Sequence, residues 1–174
     1  IKNPKYDEFK FLKEPCSILS LVYPQKAKTE LNILKKSKIS VFALELMPRI
    51  SRAQSMDVLS SQSNLSGYKA VVDAASIYNK ALPLMMTSAG TIPPAKILII
   101  GAGVAGLQAV ATAKRLGAVV FVFDVRSATK EQVESLGGNF IEVEGVDSGE
   151  TADGYAKEMT ASYKKKQAKL LEDN

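Results

Sequence analysis

An α/β architecture built on parallel strands is predicted by three observations. Apolar runs at residues 17–23 and 39–46 flank a segment of helical periodicity. Apolar runs at 96–100 and 119–123 alternate with helix-length segments. A glycine-rich turn, Gly101-Ala102-Gly103-Val104-Ala105-Gly106, joins one such strand to one such helix. Strand, helix and strand within about 30 residues form a crossover unit, and its two strands run parallel.

Taken in order, residues 1–15 are polar and mixed and carry no assignment. Residues 17–23 read as a strand ended by Pro24, and residues 25–36 as a helix with Ala27, Leu31 and Leu34 on one face. Residues 39–46 read as the second strand. Pro48 opens a polar loop, residues 49–57. A loop after a parallel strand is where open α/β sheets bind ligands, although such a stretch can also be a charged surface turn. A long amphipathic helix is expected over 64–82, with Tyr68, Val72, Ala75 and Leu82 on one side. Pro83, Gly90, Pro93 and Pro94 then punctuate the chain and place a boundary near 84–94. Beyond it come a strand (96–100), the glycine turn and a helix to Leu116 with Gly117 at its C-terminal cap. A strand (119–123) ends at Asp124, and a helix capped by Ser127 or Thr129 runs through Leu136. A short strand (140–143), a loose acidic stretch (145–154) and a last helix (155–171) complete the chain. The division is thus 1–62, a partial α/β domain; 63–94, an interdomain helix and linker; and 95–174, with three strands.

Composition narrows the function classes. Hydrophobic residues make up 46% of the 174, enough for a packed core and against general disorder. No apolar stretch approaches the roughly 20 residues that span a bilayer, and no signal-peptide pattern opens the sequence, so direct membrane insertion is not expected. The net charge of +5 sits mainly at residues 35–38 and 164–166, without interleaved aromatics. These runs read as solvated helix faces and ends, and nucleic acid is not the expected partner. Cys16 is the single cysteine and histidine is absent, which argues against an internal disulfide or a metal centre and removes the commonest general acid–base. Beside Ile18 and Leu19, Cys16 reads as a buried structural thiol.

The chemistry concentrates in the glycine turn. G-x-G-x-x-G alone is a weak signal, but here a hydrophobic strand precedes it, a helix follows, and Asp124 closes the next strand about 20 residues on. Gly101 permits the tight turn, Gly103 admits a pyrophosphate close to the backbone, and Gly106 lets the helix pack on the strand. The first helical turn offers unpaired N–H groups to phosphate oxygens. Asp124 can accept hydrogen bonds from adenosine ribose hydroxyls, which favours NAD(H). The neighbouring Arg126 suits a 2′-phosphate and keeps NADP(H) open. This is the first half of a Rossmann domain. Residues 145–155 read either as a surface loop or as a lid whose Tyr155 closes on bound nucleotide.

Residues 46–64, from Leu46-Met47-Pro48-Arg49-Ile50-Ser51-Arg52 onward, together with Gly67-Tyr68, closely resemble the NAD(H)-binding domain of proton-translocating NAD(P) transhydrogenases, within the alanine dehydrogenase/transhydrogenase family. Residues 101–109, 113–118, 124–126, 129–138 and 154–159 resemble it as well. The resemblance implies two Rossmann-like parallel-sheet domains joined by a long helix, each represented here in part. It implies that Arg49, Ile50, Ser51, Gln54, Ser55, Met56 and Asp57 hold the nicotinamide end of NADH, with Ser60 nearby and Tyr68 supporting the cofactor cleft. Arg49, Gln54 and Asp57 would be the residues at the reaction centre. It places Gly101, Ala102, Gly103, Val104 and Gly106 at the pyrophosphate, Asp124, Val125 and Arg126 around the adenosine, Gly154 and Tyr155 on a mobile lid, and Gln167 against the cofactor.

The implied reaction is direct hydride transfer from NADH to NADP⁺ held on a separate domain, coupled to proton movement through a membrane subunit. Implied too are a homodimer and a cytoplasmic position, peripheral on the inner face of the plasma membrane or on the matrix side in a mitochondrion. Hydride transfer between two nicotinamide rings needs no proton donor, which agrees with the missing histidine. The chain would correspond to the middle of the family's domain, since it opens on Ile1 and carries three strands after residue 94 where a full dinucleotide fold has six. It would then associate with a complementary polypeptide or be an inactive remnant that keeps nucleotide binding. An alanine-dehydrogenase-like oxidoreductase is the other alternative, and residues 49–64 argue against it.

Overall fold

The computed structural model describes residues 4–13, 15–143 and 160–173, and divides the chain into two compact units, Ile1–Gln62 and Ser63–Asn174. The first unit carries the expected crossover. Strand β1 (Ser17–Ser20), helix α1 (Lys28–Lys36) and strand β2 (Ser40–Ala43) follow one another, and β1 pairs with β2 in parallel, Ser17 opposite Ser40. Leu34 of α1 is buried, as are Leu21 and Val22. Cys16 is half-buried rather than fully enclosed.

Both strands are shorter than their apolar runs, for one reason. The chain after β2 turns into a 3-10 segment, Leu44–Leu46, and sends the Glu45 carboxylate back to the end of β1. There it accepts hydrogen bonds from the N–H of Val22, 3.1 Å from each oxygen, and from the N–H of Tyr23. Those donors are taken from the ladder, and Tyr23 moves to φ +50°.

The unit boundary falls within helix α2 (Val58–Tyr78), which starts six residues earlier than the sequence pattern suggests. Residues 84–94, expected as linker, contain an antiparallel hairpin, β3 (Met85–Thr87) and β4 (Gly90–Ile92). Its two-residue loop is held by Thr87, whose hydroxyl donates to the Gly90 carbonyl (2.9 Å) and accepts from the Ala89 N–H (3.2 Å).

The second unit is centred on a three-stranded parallel sheet in the order β5 (Lys96–Ile100), β6 (Val119–Phe123), β7 (Asn139–Ile141). Helix α3 (Val104–Arg115) crosses from β5 to β6, and α4 (Lys130–Ser135) from β6 to β7. Helix α5 (Ala161–Asp173) comes last. The bounds of β5 and β6 are those read from the sequence. The core is built from Val120 and Val122 of β6, Val110 and Ala113 of α3, Val133 of α4 and Val71 of α2. A central parallel strand is covered on both faces, and β6 fits that description. By contrast β5 keeps Leu98 and Ile100 exposed, the latter at 65%. No helix among the described residues is long and apolar enough to cross a membrane.

Candidate functional site

The C-terminal ends of β5 and β6 lie side by side, because Ile100 pairs with Phe123 and the Gly101 N–H donates to the Phe123 carbonyl (2.8 Å). Beyond that point Gly101 turns at φ +99°, a conformation glycine adopts freely, and Gly103 becomes the N-cap of α3. Gly103 brings no side chain to the cap, so the amides of the first turn, starting with the half-exposed Val104, have no side-chain acceptor there. Gly106 lies so close to the strand end that an added Cβ would stand 1.8 Å from the Gly101 carbonyl oxygen. At Gly103 an added Cβ would meet nothing within 4 Å.

Asp124 is buried and its carboxylate is fully engaged. Oδ2 accepts from the Ala102 N–H (2.7 Å) and from Nη2 of Arg126 (2.8 Å). Oδ1 accepts from the Arg126 backbone N–H (2.9 Å) and its Nε (3.0 Å). Asp124 therefore ties the glycine turn to the segment after β6. Burial pushes its carboxyl pKa up, but the hydrogen bonds from Arg126 and Ala102 and the guanidinium charge outweigh this and hold it below the ordinary aspartate value. A depressed pKa contributes stability that is present above the unfolded value and lost as pH falls through the folded one. Asp124→Asn is accordingly expected to cost about 2 kcal/mol at neutral pH, with the deficit closing below the usual carboxylate range. Urea unfolding at neutral pH and again in acid, below that range, checks this, and an equal deficit at both would contradict the assignment.

A cleft of about 380 Å³ opens beside these residues, lined by Ile100, Gly101, Asp124, Val125 and Arg126, with Gln167 contributed by α5. Its size falls in the range of small-molecule sites. Tyr163, one helical turn before Gln167 and 7% exposed, anchors α5. Burial, with the nearby Asp124 charge, raises its phenol pKa. Tyr163 is not among the residues expected from sequence, although the spacing of Tyr163, Gln167 and Leu170 marks one helix face. Tyr68, on α2, is half-exposed. Gly154 and Tyr155 lie outside the described residues.

The remaining expected site residues belong to the first unit. Ser51, Gln54, Ser55 and Met56 lie on a 3-10 segment, Ser51–Met56, anchored by the buried Ala53, and Ile50 and Met56 are half-exposed. Asp57 is the N-cap of α2. Its Oδ1 accepts from the Ser60 N–H (2.9 Å), its Oδ2 from the Ser60 hydroxyl (2.6 Å), and its carbonyl from the Ser61 N–H (3.2 Å). The Ser60 hydrogen bonds, and after them the charge of Arg49, lower its pKa. The structure thus brings Arg49, Asp57 and Ser60 together. Asp57→Ala should lower the thermal midpoint by a few degrees through loss of the cap, and calorimetry reads it directly.

The parallel sheet, the glycine turn opening a helix and the buried carboxylate at the next strand end define a Rossmann-like α/β protein. Comparisons with known proteins agree. Residues 1–66 match the alanine dehydrogenase/PNT N-terminal domain, and residues 70–174 match the corresponding C-terminal domain. The chain belongs to the alanine dehydrogenase/PNT family.

Among its relatives is the first of the polypeptides that make up the NAD(P) transhydrogenase alpha subunit of Rhodospirillum rubrum, 58% identical over 95% of this chain and 44% of that protein. The transhydrogenase structure from Sinorhizobium meliloti superposes with a TM-score of 0.84 at 48% identity, covering 98% of this chain and 45% of that one. An L-alanine dehydrogenase shares the fold, with a TM-score of 0.65 at 21% identity over 79% of this chain and 39% of that one. The chain spans less than half the length of these relatives.

Proposed function

We propose that this chain is the NAD(H)-binding portion of a proton-translocating transhydrogenase alpha subunit. One observation carries the reading: the uncapped first turn of α3 and the Asp124 carboxylate stand at adjacent strand ends, the turn amides suited to a pyrophosphate and the cleft beside Asp124 suited to an adenosine. The amides from Gly103 onward serve the phosphates. The Ala102 N–H is committed to Asp124, so Ala102 contributes its position rather than a donor. Gln167 forms the far wall of the adenosine cleft.

The bound nicotinamide supplies the hydride, passed to NADP⁺ held on a separate domain of the complex. The protein's part is to orient the ring and exclude water, which requires no histidine. The nicotinamide-end roles of Arg49, Gln54 and Asp57 are proposed on the family resemblance. So are the membrane subunit that couples transfer to proton movement, the homodimer and the peripheral position on the inner membrane face. Calorimetric titration of the chain with NADH and NADPH tests the core of the reading. Selective NADH binding is expected. Absence of binding to either nucleotide would remove it and favour an inactive family member.

A further inference from the structure

We infer that the Arg126 guanidinium is a counter-ion latch on the ribose-accepting face of Asp124, which a nucleotide must displace, and that this exchange sets the preference between NADH and NADPH; the latch rests on the nucleotide-binding role proposed above. A carboxylate presents about four acceptor positions. In this structure two are filled by backbone N–H groups, those of Ala102 (2.7 Å) and Arg126 (2.9 Å). The fold supplies both donors whatever side chain stands at 126. The other two are filled by Arg126 Nε (3.0 Å) and Nη2 (2.8 Å). No position is left for a ligand while the guanidinium is seated.

Removing the guanidinium opens two acceptor positions, the number that a ribose 2′,3′-diol can fill with its two hydroxyl donors. The geometry permits the exchange. The Asp124 side chain is 5% exposed and held from both sides, whereas that of Arg126 is 21% exposed and lines the cleft. The arginine is the member of the pair that can swing. Once displaced it remains cationic. For a diol this charge brings nothing that offsets the broken pair. A 2′-phosphate cannot be accepted by Asp124, but it can hold the displaced guanidinium through a two-point charge-assisted contact. The latch therefore weakens NADH binding and supports residual NADPH binding.

A side chain with a merely structural role would weaken both nucleotides when removed, so the two ligands separate the cases. In Arg126→Met, which keeps the length and loses every donor, NADH should bind about fivefold tighter and NADPH at least as much weaker, the scale of one charge-assisted hydrogen bond exchanged. Calorimetric titration of the full chain reads both, with circular dichroism confirming the fold. A second measurement uses the wild type alone. By NMR, solvent exchange of the Arg126 Nε–H should be slow in the free chain and accelerate on saturation with NADH.

Wild type that binds NADH, with R126M no tighter or the Nε–H exchange unchanged by NADH, overturns the latch and leaves the nucleotide-binding role standing. Failure of both proteins to bind NADH overturns that role and the latch with it. Binding by R126M alone is the latch at its strongest.

Discussion

Gly106→Ala is expected to lower the stability of the second unit by on the order of 3 kcal/mol, and to do so without any ligand present. The cause is backbone against backbone. The new Cβ would lie 1.8 Å from the Gly101 carbonyl oxygen and 2.8 Å from its carbon, distances that no rotamer change relieves. Either α3 moves off the end of β5 or Gly101 changes conformation. The first opens the contacts of Ala109, Val110 and Ala113 with the sheet, and the second disturbs the Gly101 N–H bond to Phe123. Urea unfolding followed by circular dichroism measures the loss. A variant with the wild-type midpoint would show that the helix–strand approach is slack.

Gly103→Val should give the opposite pattern. Gly103 has φ −79° and ψ −170°, extended backbone that any residue adopts, and an added Cβ meets nothing within 4 Å. Folding stability should change by at most about 1 kcal/mol, the difference in N-cap preference between the two residues. Nucleotide binding should fall by about a hundredfold, because the valine side chain fills the space through which a pyrophosphate reaches the first-turn amides. The paired experiment is a thermal melt and an NADH titration on the same preparation. Loss of stability with retained affinity would place the phosphates elsewhere. Two glycines three residues apart in one motif thus answer to different demands, one to packing within the chain and one to room for a ligand.

Much of this architecture is legible in the amino-acid sequence. Strands β5 and β6 are short β-branched runs bounded by a proline pair, a glycine and an aspartate, and their limits match the expected ones residue for residue. The parallel pairing of β1 and β2 follows from the crossover length. What the pattern conceals is governed by single side chains acting at a distance or against local propensity. Glu45 shortens β1 from more than 20 positions away, which no local window registers. Helix α2 begins in a stretch of serines, glutamine and asparagine, poor helix formers that look like loop. Asp57 and Ser60 override that impression by capping. The β3–β4 hairpin is masked by the prolines after it, and its signal, a threonine able to bridge a two-residue turn, is small.

The site is legible in type and less so in wiring. The glycine turn and Asp124 stand where the motif predicts. The sequence does not disclose that the carboxylate is saturated, or that Arg126 supplies three of its four donors. Nor does spacing alone show that α5 closes the adenosine cleft, since that depends on where a helix more than 30 residues downstream settles.

The strand order β5, β6, β7 runs in chain order, each new strand joining the one made before it. A sheet of that kind can assemble vectorially while the polypeptide is still being synthesised, N-terminal segments first. Everything that fixes Asp124 against Ala102, from the β5–β6 register to the Arg126 donors, lies within residues 96–126. On the ribosome the phosphate-facing turn and its carboxylate strut would already be in place when Tyr163 and Gln167 emerge, so α5 docks onto a preformed template.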